Sequence, residues 1–61
     1  MKLIEFNYNK KKTIWVNPDK VVTVYKYSDD KTIICFVEGQ NNTVVEHDVD
    51  YVVHKLTEVE L

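Results

Sequence analysis

Polar and apolar residues alternate with period two along most of this chain, in short runs separated by turn-forming residues. That is the signature of half-buried β-strands. A first strand is predicted from about Lys2 to Tyr8, with Ile4, Phe6 and Tyr8 on one face. Asn9-Lys10-Lys11-Lys12 reads as a polar turn into a second strand over Thr13–Asn17, with Ile14 and Val16 on one face and Trp15 on the other. Asn17-Pro18-Asp19 then reverses the chain, because proline presets φ and the Asn and Asp side chains bond the backbone locally. Val21–Tyr27 and Thr32–Val37 form a third and a fourth strand around the turn Ser28-Asp29-Asp30-Lys31. Gly39–Asn42 is a loop holding the single glycine, a natural position for positive φ, and Thr43–His47 is a short fifth strand. Beyond it the spacing changes to helical. Val49, Val52, Val53, Leu56 and Val59 form a stripe, and Asp48 stands where an N-cap carboxylate accepts the first amides. A short C-terminal helix is expected, with a sixth strand as the alternative because valines are poor helix formers.

The fold class that follows is mainly β: a small curved antiparallel sheet or partly open barrel of four to five strands followed by a short C-terminal helix, in one domain spanning 1–61. Sixty-one residues make a marginal core. The pattern places Ile4, Phe6, Ile14, Val16, Val22, Val24, Ile33, Cys35 and Val37 on one face. Leu3, Trp15, Tyr25, Tyr27, Ile34 and Phe36 fall on the other. Both faces are too apolar for a sheet with one side in water, so either the sheet curls or a second subunit covers the aromatic face.

Composition sharpens this. There is no alanine and no arginine, valine is the commonest residue, and β-branched and aromatic residues fill 27 of 61 positions, which suits a pleated surface and not a helical bundle. A lone cysteine, Cys35, excludes an intrachain disulfide. No apolar run approaches a membrane span, and the N-terminus lacks the apolar core of a signal peptide. A cytoplasmic protein is expected. The net charge of −2 is uneven: residues 1–31 hold seven lysines against four acids, and residues 32–61 hold one against six. Low Gly, no Ala or Arg and abundant Lys and Asn suit an AT-rich bacterial or phage genome.

The stretches Thr13-Ile14-Trp15-Val16-Asn17, Asp30-Lys31-Thr32-Ile33-Ile34 and Thr43-Val44-Val45-Glu46, the last leading into Val49–Leu56, resemble the order of parts in the FlbD-type small flagellar proteins. That resemblance implies the same succession of strands, an Asn-containing bend and a terminal helix. It supplies no catalytic residues. The Asn-Gly hairpin turns of that family are replaced here by Asn9-Lys10-Lys11-Lys12 and Gly39-Gln40-Asn41-Asn42.

Candidate chemistry is sparse. Cys35, His47 and His54 lack the close pairing of zinc ligands, so no metal and no cofactor is expected, and the plain reading is a buried cysteine and two solvated histidines. Ser28 lies in a turn with no histidine near it in sequence, and one glycine cannot build a phosphate loop. An enzyme is not expected. The lysine turn Lys10-Lys11-Lys12, with Tyr8, Trp15, Tyr25 and Tyr27 as stacking surfaces, fits a single-stranded nucleic-acid binder. The acidic net charge and the missing arginines oppose it. The expectation is a non-catalytic protein-interaction module, a homo-oligomer serving as assembly subunit, regulator or inhibitor, with Trp15, Tyr25, Tyr27 and Phe36 as aromatic anchors. An oligomer that sequesters a small molecule between its subunits is a further alternative.

Overall fold

A computed structural model describes residues 2–37 and 42–58. Among these residues, five strands and one helix follow the expected order: β1 Ile4–Tyr8, β2 Lys12–Val16, β3 Val21–Ser28, β4 Lys31–Phe36, β5 Thr43–Val45 and α1 Val49–Thr57, with a 3-10 turn over Pro18–Lys20. All neighbours in the sheet are antiparallel and their order is β2-β1-β5-β4-β3. The mainly β class, the open sheet and the terminal helix therefore stand as read. The alternative of a sixth strand does not, because Asp48 caps a helix by accepting the Tyr51 N–H at 2.7 Å.

The sheet cannot be flat. β2 and β3 are its two edges, and four antiparallel steps between them make these edges run in the same direction. A flat sheet of this order spreads its edges over four strand spacings, ~19 Å, and a parallel return adds the length of a strand. Asn17–Lys20 is all that joins them, and the five residue steps from Val16 to Val21 reach at most ~18 Å. The sheet must curl until the end of β2 approaches the start of β3. The connecting turn is built for this. Asn17 Oδ1 accepts the Asp19 N–H at 3.0 Å, Pro18 opens the 3-10 turn, and Lys20 O accepts the Val37 N–H at 3.0 Å.

The core lies on one face of the curled sheet. Phe6, Val16, Ile34, Val45 and, from the helix, Val52 are all buried to 2% exposure or less, and Ile4, Ile14, Val21, Val24, Phe36 and Leu56 pack around them. Val52 and Leu56 are one helical turn apart, so they form the stripe the spacing predicts. Val53, expected in that stripe, is exposed, and Val59 lies outside the described residues, as does Gly39.

One strand is turned over relative to expectation. Cross-strand partners share a face. Val24 pairs with Ile34, while Tyr25 pairs with Ile33 and Thr23 with Cys35. Ile34 and Phe36 thus join the core, and Ile33 and Cys35 face away from it. β4 is apolar on both faces, so alternation carries no information about which side faces in. Register shifts at either end of the β3–β4 pairing, between Val21 and Thr23 and between Lys26 and Ser28, remove the remaining guide. Among the described residues the one fully buried polar side chain, Thr32, is satisfied by donating to His47 O at 2.8 Å.

Candidate interaction surface

Tyr25, Ile33 and Val44 are successive register partners across β3, β4 and β5, so they form one apolar row on the face away from the helix. Cys35 stands beside it, paired with Thr23. Ile33, Val44 and Cys35 are half-buried by neighbouring strands, and Tyr25 at the sheet edge is 49% exposed. Tyr27, 60% exposed, sits at the bulged position between Lys26 and Ser28. β3 is the longest strand and an edge, and its bulges and Lys26 are devices that blunt an edge against indiscriminate pairing. Lys26 itself reaches Asp29 at 3.3 Å, an exposed pair of little energetic weight.

The four expected aromatic anchors fall on three strands, β2, β3 and β4. Tyr25 and Tyr27 share β3. Trp15, 58% exposed, lies on the other edge strand, β2, opposite Glu5 of β1, and belongs to no register row with Tyr25. Phe36 leaves the set, because the reversed faces of β4 pack it against the core. Ile33, Val44 and Cys35 take its place beside Tyr25. The signal that could have found them is the register of the β3–β4 hairpin, which puts Ile33 opposite Tyr25.

Lys10, Lys11 and Lys12 are exposed at the tip of the β1–β2 hairpin. Asn9 and Lys10 have φ of 49° and 63°. Two successive left-handed residues give the turn a twist that matches the flanking strands. Asn tolerates this conformation, whereas Lys does so at a cost of about 1–2 kcal/mol. Glu46 Oε2 holds the turn by accepting the Lys10 N–H at 2.9 Å. Asn9 and Val44 line the same shallow depression with Tyr8, Lys31, Asn42, Thr43 and Glu46. The lysine turn therefore sits at the β5 end of the apolar row.

The histidines differ from each other. His54 is exposed on α1, 2.9 Å from Glu58 Oε2. His47 is not a solvated side chain. Its ring stacks on Tyr51 at 4.3 Å and 14°, meets Phe6 edge-on at 5.6 Å, and accepts the Asn7 N–H on Nε2 at 2.9 Å. Burial pushes the imidazole below its ordinary value, against the opposing pull of Asp48 and Glu46. Cys35, expected to be buried, is half-exposed.

Ser28 Oγ donates to Asp30 Oδ1 at 3.1 Å within its turn, which is turn chemistry. Among the described residues no three His, Cys, Asp or Glu side chains cluster as a metal site, and no helix is long and apolar enough to cross a membrane. What this surface offers chemically is apolar area, tyrosine hydroxyls and flanking ammonium groups. No protein-family model, no curated protein and no solved structure matches the chain.

Proposed function

We propose that this chain is a small non-catalytic interaction module that works as a homo-oligomer, joining copies through the uncovered face of β3, β4 and β5. One observation carries the reading. Among the described residues seven large apolar side chains, Leu3, Trp15, Val22, Tyr25, Tyr27, Tyr51 and Val53, stand 39–62% exposed against five apolar residues fully buried, and Val22, Tyr25 and Tyr27 of these lie on the edge strand β3. A domain of this size is short of core, and a half-buried row ending in an exposed tyrosine is the composition of an interface centre. The oligomer serves as an assembly subunit, regulator or inhibitor in the cytoplasm of a bacterium or of a phage-infected cell. The likeness to FlbD-type proteins is in keeping with a bacterial setting.

A second reading has its own support. The lysine turn at one end of the row and Tyr25 at the other suit a short single strand of nucleic acid, with a base on the ring and phosphates at the ammonium groups. The absence of arginine and the net charge of −2 weigh against it.

Native mass spectrometry of gently purified protein separates these readings. A bare oligomer is the expected result. An oligomer carrying a constant extra mass would replace the module with a binder that sequesters a small molecule between subunits. Co-purifying nucleic acid, lost when Lys10, Lys11 and Lys12 are changed to Glu, would replace it with the second reading. A bare monomer at all concentrations would overturn it.

A further inference from the structure

The sheet is held together unevenly. β1 and β2 share five register pairs and β3 and β4 six, but β1 and β5 share one, Tyr8 with Val45. This seam is the main-chain junction between the β1–β2 hairpin and the β3–β4–β5 meander. Beyond Val45 the chain bends out of the sheet, and two adjacent residues continue the seam by other means. Glu46 N–H donates to Asn7 O at 2.9 Å, Glu46 Oε2 accepts from Lys10 N–H at 2.9 Å, and His47 Nε2 accepts from Asn7 N–H at 2.9 Å. The imidazole stands where the next carbonyl of a ladder would stand. It can do so only as the neutral ring with its proton on Nδ1.

We propose that the β1–β5 seam is a pH-operated clasp, in which protonation of His47 releases the Asn7 amide and lets the β1–β2 hairpin part from the meander while each keeps its own pairing. A proton on Nε2 turns the acceptor into a donor that faces a donor. The charged ring is also wedged against Tyr51 and Phe6, where it loses water. The titratable groups around it are Glu46 and Asp48 on its own segment and Tyr51 on α1, with Lys55 Nζ 5.7 Å from the Tyr51 ring centre. β1 presents Phe6 and Asn7 and β4 presents Thr32, none of which titrates. Burial holds the neutral ring in place at neutral pH.

The test is residue-resolved amide exchange by NMR on the full chain between about pH 7.5 and 5.5, a window in which imidazoles change charge and carboxylates as a class do not. Expressed as protection factors, Asn7 and Glu46 amides should lose about tenfold, the equivalent of one hydrogen bond, while β3–β4 amides hold. His47→Gln keeps an acceptor and has no proton to gain, so its protection should be flat with pH. His54→Gln should behave as the wild type. Equal loss across all strands would mean global unfolding and would overturn the clasp, as would an unchanged pH dependence in His47→Gln. Should His47→Gln not fold, the wild type decides alone. An Asn7 amide shift that follows the His47 ring titration supports the clasp, and one that stays flat overturns it.

Discussion

At the scale of single residues, three positions meet backbone that the strand pattern alone would leave unsatisfied or strained. Lys10 adopts φ of 63° without being glycine. Replacing it with Gly should stabilise the protein by about 1 kcal/mol, since the left-handed penalty is removed, offset in part by the extra freedom of the unfolded chain. Urea unfolding measures this, and a lower midpoint for Lys10→Gly would contradict the turn geometry. Thr32 is fully buried and donates to His47 O. Thr32→Val keeps the shape but leaves that carbonyl short of a partner, so it should cost about 1–3 kcal/mol, read in the same titration. His47 has its pKa lowered by burial, so between the two values the unfolded chain binds the proton and the folded chain does not. Its contribution is complete above the ordinary value of 6.5 and is lost as pH falls through the lower folded value. Thermal melts from pH 7.5 downward should show a fall that His47→Gln lacks. His47 was not legible as an acceptor because its partner, Asn7, is forty residues away in sequence.

Among the elements, the strands and the helix were legible where one periodicity dominates. β1, with Ile4 and Phe6 inward, and α1, with Val52 and Leu56 one turn apart behind the Asp48 cap, follow their patterns. β4 was not legible in its facing, because Ile33, Ile34, Cys35 and Phe36 are apolar without a break. The same ambiguity hid Ile33 from the candidate surface: Tyr25 was visible from its alternation, Ile33 and, on β5, Val44 only from register. β5 stops at Val45, since Glu46 and His47 bend away to serve the seam. The helix is held by its cap, its short stripe and the Tyr51 ring stacked on His47. Asp48→Ala should therefore cost about 1 kcal/mol, with helical circular dichroism lost at a lower temperature than in the wild type. An unchanged melt would show that the stripe and the stacked ring hold the helix without the cap.

Taken as a whole molecule, the chain solves one packing problem and leaves another. Curling brings β2 and β3 close enough for Asn17–Lys20 to join them and wraps Phe6, Val16, Ile34 and Val45 around Val52. The curl was implied by excess apolar residues on both faces, and it accounts for one face only. The row Tyr25–Ile33–Val44 remains on the outside, and covering it with a second copy is the central claim. Sedimentation velocity of the wild type beside Tyr25→Glu tests that claim most directly, since Tyr25 is far enough exposed for the charge to leave the fold intact. The account predicts a concentration-dependent oligomer for the wild type and a monomer with the same melting curve for Tyr25→Glu. A wild-type monomer throughout, or an oligomer that Tyr25→Glu leaves unchanged, would contradict it.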